Sequence, residues 1–302
     1  ELASALLTRL KSLHGAALKP IIKLALNALK TKDLQVYLSD PRAETLLQQF
    51  GLASTISTGS GDGFYVVDTN VGGNKANAYV TEQQTDLVTL LPNDGALHQL
   101  EITVTYDKTG SVYSPDTRDY NDVQRVYLPS DATLLGWSGY NPTYLSTSSC
   151  PKHDRFASII TDCSQAHGIY DVSTSSDVPG RTMVLGAITL LCGKPPFVGN
   201  LTNQQDENAQ CDTNPQPHTV NIFLAWYTPH AYTTDAQGHI HYSELIERQP
   251  GANDTLTVYI TRANSASSAV VTDPATFASL LQGAKKIYDQ PLDTNTSLTY
   301  TF

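Results

Sequence analysis

The alternation of apolar and polar residues over most of the chain restricts its fold more than any other feature. From Phe64 onward, short segments repeat this two-residue period, with turns rich in glycine, proline, asparagine and aspartate between them. Side chains alternate between the faces of a β-strand, so the pattern predicts strands with one buried face. We predict strands at residues 64–68, 76–91, 97–107, 122–128, 181–191, 218–228, 239–247, 254–262, 268–272 and 297–302.

The connections between these segments favour a sandwich. Pro92-Asn93-Asp94-Gly95 lies between two predicted strands and is a strong hairpin signal. Many strands with few crossover helices favour antiparallel sheets over a parallel α/β sheet. We therefore expect an α+β fold, mainly β, with a helical N-terminal segment (residues 1–63) before a large antiparallel immunoglobulin-like β-sandwich (residues 64–302).

The start of the chain has a helical pattern instead. Leucines recur every three or four residues from Leu2 to Leu13, and we expect Gly15 and Pro20 to divide the pattern into two helices. The chain begins at Glu1 within this pattern. We expect it to be a processed product whose targeting signal lies upstream.

Three further elements are predicted from local signals. LQVYL (34–38) is predicted to be a short strand, and Asp40-Pro41 to cap a helix that continues to about Phe50. Asp273-Pro274 has the same capping pattern and predicts a late helix at 274–288.

Charge excludes one class of partner. Only 16% of the residues are charged, against roughly 25% in an average soluble protein, and the net charge is -10. Residues 1–32 hold six of the 19 basic residues, so the remainder is strongly acidic. An acidic body repels phosphate backbones, so we expect no nucleic-acid partner. A surface of neutral hydroxyls and amides suits an extracellular protein.

Several segments resemble a known family. They are FYVVDTNVGGNKANAYV (64–80), LQVYLSDPRAETLLQQFGLA (34–53), YNDVQRVYLPSDATLL (120–135), and GRTMVLGAITL (180–190) with TVNIFLAWYTP (219–229). In this order they resemble the C-terminal part of the uncharacterised bacterial envelope-protein family catalogued as domain of unknown function (DUF) family 4012. The resemblance covers roughly residues 1–230.

The resemblance implies a cellular location and a domain organisation. Such proteins usually carry a membrane helix and an N-terminal domain distantly similar to the LytR-CpsA-Psr phosphotransferases, which attach polymers to cell walls. We recognise neither the membrane helix nor the N-terminal domain in this sequence, and we expect membrane attachment only through an upstream segment. The implied location is extracellular or at the cell surface. Residues 192–218 depart from the family pattern and are expected to form an insertion between two cysteines.

The segment DTNVGGNKAN is the first candidate site, and three interpretations stay open. Asp68, Asn70, Asn74 and Lys75 could form a small binding site. The segment could instead be a structural turn, since asparagine amides bond readily to nearby backbone. Lys75 could also form a covalent cross-link to an asparagine, as in some immunoglobulin-like adhesion domains. An EF-hand is excluded because Tyr79 occupies the position of the bidentate glutamate.

The four cysteines are predicted to form two disulfides. Sequential pairing, Cys150 with Cys163 and Cys192 with Cys211, would close two loops between strands. The alternatives are free thiols and a zinc site, since a histidine follows each of the first two cysteines within a few residues. An oxidising exterior favours the disulfides.

A cluster of aromatic residues is the second candidate site. Trp137, Tyr140 and Tyr144 lie close together in a segment rich in glycine and proline, and could line a groove for a polymer. Packing of a loop against the sandwich is the simpler interpretation.

Other polar groups have weaker patterns. His239 and His241 share one face of a predicted strand, and Asp116, Asp119 and Asp122 cluster in a predicted loop. Solvated surface explains both groups. No local signature of a catalytic serine, histidine and acid is present. We therefore expect no enzymatic activity, no metal site and no cofactor.

Taken together, these features predict a non-catalytic structural or adhesive module of a bacterial cell-envelope protein, within a surface or filamentous assembly. The alternative is a carbohydrate- or wall-polymer-handling accessory domain of a LytR-CpsA-Psr-like transferase. Expected partners are further copies, other envelope proteins and cell-wall polysaccharide. A polymer-handling domain should have a groove lined by tyrosine and tryptophan with converging acids or arginines, whereas a structural module should have exposed edges or large subunit contacts and no deep polar cleft. The uncharged segment 297–302 could complete its own sheet or add to a neighbour's edge.

Overall fold

A computed structural model describes most of the chain. The described residues are 2–12, 14–15, 18–53, 55–57, 61–109, 119–140, 169–174, 178–190, 217–264, 270 and 273–302. The chain forms two compact units, residues 1–57 and residues 58–302. No helix among the described residues is both long enough and apolar enough to span a membrane.

The first unit is helical. Its helices are α1 (Leu2–Lys11), α2 (Leu18–Lys30) and α3 (Pro41–Gln49). The predicted cap is confirmed, because the Asp40 carboxylate accepts a hydrogen bond from the backbone N–H of Arg42 at 2.9 Å. The strand predicted at LQVYL is wrong. Residues 35–38 have no regular structure, and the Leu38 N–H donates to the Glu44 carboxylate at 2.9 Å instead of to a neighbouring strand.

The second unit is built mainly of strands. They are β1 (Asp62–Asn70), β2 (Val80–Leu90), β3 (Ala96–Tyr106), β4 (Tyr120–Pro129), β5 (Thr133–Ser138), β6 (Ile169–Thr174), β7 (Arg181–Leu190), β8 (His218–Thr228), β9 (Tyr232–Thr234), β10 (Ile240–Glu247), β11 (Asp254–Arg262), β12 (Lys285–Pro291) and β13 (Thr296–Thr301). Helix α4 (Pro274–Leu281) and a 3-10 turn (Ala76–Tyr79) complete the unit. Strands β5, β6, β9 and β12 were not predicted.

The strands form two sheets. The first has the order β13-β10-β1-β4-β7-β6, with β9 also paired to β10, and the second has the order β12-β11-β2-β3-β8-β5. The expected fold, mainly β with N-terminal helices, is confirmed. The sheets are mixed and not purely antiparallel, because β1 pairs with β10 and β2 pairs with β11 in parallel.

Local signals explain part of this arrangement. The predicted hairpin joins β2 to β3, and Asp94 in its turn has a positive φ of 61°. The predicted cap of α4 is confirmed, since Asp273 accepts from the Thr276 N–H at 2.9 Å. The predicted helix 274–288 is too long. It ends at Leu281, and the next residues pair with β11 as strand β12 because that edge offers unpaired backbone groups.

The two sheets share one hydrophobic core. Buried side chains from β1, β2, β3, β4, β7, β8, β10 and β11 form a single cluster, in which Trp226 and Phe64 meet edge to face at 5.8 Å between ring centroids. Burial of this apolar surface is the main stabilising contribution expected for such a sandwich.

Candidate functional site

Strand β2 places polar side chains inside the core. Every second residue points inward, and Glu82, Gln84 and Asp86 are as buried as the Val88 and Leu90 that follow them. A buried polar group is costly unless it is paired. The partners of these side chains therefore define the candidate sites.

The first group, which we call the His98 cluster, contains Asp62, Asp86, His98 and Glu244. β1 and β10 of the first sheet supply Asp62 and Glu244, and β2 and β3 of the second sheet supply Asp86 and His98. The imidazole lies between the two aspartates. Its Nε2 is 2.7 Å from Asp62 Oδ2, and its Nδ1 is 2.8 Å from Asp86 Oδ2. All three side chains are fully shielded from solvent, with 0% exposure.

Neighbouring groups fix the geometry of this cluster. The Trp226 ring stacks on the imidazole, with centroids 4.6 Å apart and planes 4° from parallel. The Tyr242 hydroxyl donates to Asp62 Oδ2 at 3.1 Å, and the Gly63 N–H donates to Asp62 Oδ1 at 2.9 Å. Both carboxylate oxygens of Asp62 are therefore occupied.

The charges of the cluster are coupled. Burial alone would lower the pKa of His98, but the two aspartates outweigh it and raise that pKa well above its usual range. Burial alone would raise the pKa of Asp62, but the charge and hydrogen bond of His98 lower it overall. For Asp86 burial prevails over His98 and its pKa is raised. The proton therefore belongs to His98, and Asp62 is its ionised partner.

Glu244 is the unusual member of the cluster. It is 2% exposed, and neither of its carboxylate oxygens receives a hydrogen bond from the part of the chain that the structure describes. The nearby Tyr242 hydroxyl has one proton to give, and it donates that proton to Asp62. Burial and the charge of Asp86 raise the pKa of Glu244 well above its usual range. Asp86 Oδ1 also lacks a donor among the described residues.

Three members of the cluster could hold a metal ion. One ligand atom from each of Asp86, His98 and Glu244 lies within 4.8 Å of the other two. One imidazole nitrogen and two carboxylates are a ligand set that divalent metals use.

The second group, which we call the acid cluster, contains Asp68, Glu82, Asp122 and Asp254. Asp254 and Glu82 are register partners in the parallel pair of β11 and β2. Where the His98 cluster has a cationic imidazole, the acid cluster has the neutral amide of Gln124. Its Nε2 donates to Asp68 Oδ1 at 3.0 Å.

Burial dominates the charges of the acid cluster. It raises the pKa of Glu82 and of Asp122 well above the usual range, and the negative charge of Asp68 adds to both shifts. Burial and Asp68 likewise raise the pKa of Asp254 to about 7, although Arg248 opposes the shift. At neutral pH the carboxyls of Glu82, Asp122 and Asp254 therefore retain protons to a greater extent than ordinary carboxyls do.

A cleft opens beside the His98 cluster. It has a volume of about 710 Å³ and lies at one end of the second unit, where β4 and β8 end and β1 and β10 begin. Its lining includes three tyrosines, Tyr232, Tyr242 and Tyr300, and it reaches Asp62 and Thr228. Asp62 and Tyr242 therefore belong to both the cleft wall and the cluster network.

The structure places the residues of the predicted Asn-rich site mostly in contact with one another. Asn70 Nδ2 donates to Asn74 Oδ1 at 2.9 Å and to Asn77 Oδ1 at 2.6 Å, and Asn74 Nδ2 donates to the backbone carbonyl of Asp119 at 2.8 Å. The amides are used in holding the loop, as the structural-turn interpretation requires. Lys75 is exposed, unlike the buried lysine of the cross-link interpretation.

Trp137 and Tyr140, two of the three predicted groove residues, do not line the cleft. Tyr140 is buried, and its hydroxyl donates to Gln124 Oε1 at 3.0 Å beside the acid cluster. Trp137 is half-buried on β5 and packs against the core. Tyr144 lies outside the described residues.

Several other predictions also concern residues that are not described. Cys150, Cys163, Cys192 and Cys211 are among them, as are Asp116 and most of the predicted insertion 192–218, so the disulfides stay a prediction.

The remaining predicted polar positions can be located. His239 and His241 both contact Asp235 Oδ2, at 2.9 and 3.2 Å on the surface. Of the predicted aspartate cluster, Asp122 is buried in the acid cluster, and Asp119 precedes β4.

Sequence reasoning missed the His98 cluster altogether. Its members lie far apart in sequence, and on β2 both faces carry polar residues, so periodicity could not show which face is inside. One signal was available. His98 lies on the side of β3 whose other residues are apolar, and a buried histidine needs an acidic partner.

Comparison with known proteins leaves the chain without an assigned family. No family model matches it, and no curated protein sequence matches it. The resemblance to the DUF 4012 family therefore stays a prediction.

Proposed function

We propose that this chain is a non-catalytic extracellular module of a bacterial cell-envelope protein that adheres to cell-wall polysaccharide through the cleft. The cleft is the observation that carries the proposal. Its lining includes the half-buried Tyr300 and the exposed Thr299 and Thr301, whereas Tyr232 and Tyr242 are buried behind this surface. Tyrosine offers an apolar face and a polar tip, and a few placed polar groups orient a ligand in a pocket. A polyhydroxylated polymer matches this mixture.

The state of Asp62 supports binding over hydrolysis. A glycosidase needs a carboxylic acid with a raised pKa that can donate to the leaving oxygen. The Asp62 carboxylate has a lowered pKa, and both of its oxygens already accept hydrogen bonds within the protein. Asp62 is therefore poorly suited to act as a general acid.

The cleft also favours polymer handling over a purely architectural role. The two functions expected from the sequence differ in whether a polar groove with tyrosines and charges is present. The cleft meets this expectation in part, since tyrosines and the acids Asp62 and Asp131 are among its lining residues, but tryptophan and arginine are not, and Trp137 and Tyr140 do not contribute to it. The envelope location rests on the resemblance to the DUF 4012 family and on the weakly charged surface.

Titration of the protein with soluble oligosaccharides released from purified bacterial cell walls, followed by calorimetry, tests the proposal. We expect saturable binding that Tyr300→Ala weakens at least tenfold. Tyr288→Ala is the matched control, because Tyr288 is also half-buried against the same core but lies outside the cleft. An absence of binding, or an equal loss in both variants, would contradict the proposal.

The edge strand β13 supports a second role, assembly into a larger structure. One side of β13 pairs with β10, and no strand among the described residues covers its other side. The strand contains neither charged residues nor proline, which usually protect such edges. We expect Ser297→Lys to abolish any growth of particle size with concentration in light scattering. Unchanged growth in this variant would exclude assembly through β13.

A further inference from the structure

The His98 cluster combines a buried histidine bracketed by two acids with a buried carboxyl, that of Glu244, which has no donor among the described residues. We propose that it is a binding site for a divalent transition-metal ion, zinc or manganese, with Asp86, Glu244 and one imidazole nitrogen of His98 as protein ligands. This inference goes beyond polysaccharide adhesion and does not depend on it. It also departs from the absence of metal expected from the sequence.

The positions of the ligand atoms carry the proposal. The three atoms lie within 4.8 Å of one another. Around a tetrahedral zinc ion, oxygen and nitrogen ligands about 2.0–2.2 Å from the metal lie about 3.5 Å apart. Binding therefore requires the two carboxyl groups to turn toward the ion. Their lone pairs are available, because Asp86 Oδ1 and both Glu244 oxygens have no donor among the described residues.

Asp62 has the position of a supporting carboxylate. A metal-bound histidine commonly donates its second ring N–H to an acid, which fixes the tautomer and the ring orientation. His98 Nε2 meets Asp62 Oδ2 at 2.7 Å, which leaves Nδ1 directed toward Asp86. Stacking on Trp226 fixes the plane of the ring. The imidazole is therefore held as a metal ligand would need to be.

Ligand chemistry selects the class of ion. Calcium needs six to eight oxygen ligands, whereas an imidazole with two carboxylates suits zinc or manganese. Metal binding requires that the ligating carboxyls and the ligating imidazole nitrogen carry no proton, so affinity for the ion should rise with pH. Asp62 and Tyr242 also line the cleft, so the cleft adjoins the cluster. Both side chains are nearly fully buried, so an ion that enters from the cleft must displace them.

Elemental analysis of tag-free protein, expressed with added zinc and manganese and then dialysed, tests the proposal directly. We expect one metal ion per chain in the parent and less than a tenth of that in Glu244→Gln. Asp122→Asn is the matched control, since it removes another fully buried carboxyl from the same core but outside the cluster. It should retain the metal.

Thermal melting provides a second readout that does not require retention of metal during purification. Zinc or manganese should raise the melting temperature of the parent and of Asp122→Asn relative to chelator, and leave Glu244→Gln unchanged. Parent protein that contains no metal and melts identically with either ion and with chelator would overturn the proposal. The cluster would then be a network of shared protons. Failure of polysaccharide binding would affect neither measurement.

Discussion

The His98 cluster and the acid cluster bury carboxyl groups in the same core, yet their partners differ. In the His98 cluster a cationic ring lies between two aspartates, at 2.7 and 2.8 Å. In the acid cluster the central donor is the neutral amide of Gln124, which is 3.0 Å from Asp68 Oδ1. Asp62, Glu82 and Asp122 are all nearly fully buried, so a comparison of these three carboxyls isolates the effect of the partner.

The difference between Asp62 and the carboxyls of the acid cluster shows that a cationic partner can outweigh burial, although for Asp86, which also contacts His98, burial prevails. Next to His98, the pKa of Asp62 is lowered although burial opposes the shift. Next to amides and other acids, burial is unopposed by a strong cation and the pKa values of Glu82 and Asp122 are raised. The first cluster is therefore held together by charge, whereas the second depends on protons that stay bound.

Removal of the cation from the first cluster should have the largest effect. His98→Leu leaves two buried aspartates without their partner, and loss of one member of a buried charged group typically costs about 3–5 kcal/mol of unfolding free energy. Urea denaturation of parent and variant measures this cost. If His98→Leu does not fold at all, its loss of unfolding free energy is larger than predicted but has the predicted sign.

His230→Leu is the control for this substitution. His230 also pairs with an aspartate, Asp94, at 2.8 Å, but its side chain is 82% exposed. Exposed pairs contribute little to stability, so this variant should unfold like the parent. Similar losses in the two variants would show that burial of the His98 cluster has no special role.

The acid cluster should reverse the usual dependence of stability on pH. The pKa of Asp254 is about 7 in the folded protein and near 3.9 in an unfolded chain. Between these values the folded protein binds more protons, so the free energy of unfolding falls as pH rises from about 4 to about 7. Asp254→Asn should abolish part of this fall and stabilise the protein at about pH 8 by about 1–3 kcal/mol.

Denaturation at several pH values tests this sign. Asp235→Asn is the contrasting variant, because hydrogen bonds from His239 lower the pKa of the exposed Asp235 to about 2. Asp235 stabilises the protein above about pH 4, and that contribution is lost as pH falls toward 2. Asp254→Asn that lowers stability at about pH 8 would contradict the raised pKa of Asp254.

The smallest expected effect comes from a neutral hydrogen bond of the acid cluster. Tyr140→Phe removes the donor to Gln124 Oε1, a bond of 3.0 Å between buried groups. Loss of such a bond costs about 1–2 kcal/mol. Tyr37→Phe alters a tyrosine that is 75% exposed and should leave stability unchanged. A loss with Tyr140→Phe as large as that with His98→Leu would remove the distinction between the clusters.

The sequence was most informative where one face of a strand was apolar. The predicted bounds of β8 and β11 match the structure, since β11 largely alternates and β8 contains a run of buried apolar residues from Ile222 to Trp226. β12 was hidden in the predicted helix 274–288, because its exposed residues have no apolar stripe. The strand predicted at LQVYL failed for the opposite reason. Its apolar residues suit a strand, but a side chain of α3 takes the backbone donor of Leu38.

The functional groups were beyond local pattern recognition. The Asn-rich segment attracted attention because its residues are contiguous, and most of its amides bond to one another. Asp62, His98 and Glu244 come together only through cross-strand and inter-sheet packing. The sequence around each of these residues does not indicate which residues it contacts. Periodicity can predict burial, but it cannot predict which buried polar residues meet.

The two parallel pairs have a consequence for the order in which the second unit can fold. β1 and β2 come early in the chain, yet their parallel neighbours β10 and β11 come near its end. Contacts between residues so distant in sequence slow folding, because a long loop must close before the contact gives any stabilisation. During synthesis, neither sheet can be completed until the last third of the chain is available. We therefore expect the second unit to complete its folding only after most of it has been synthesised.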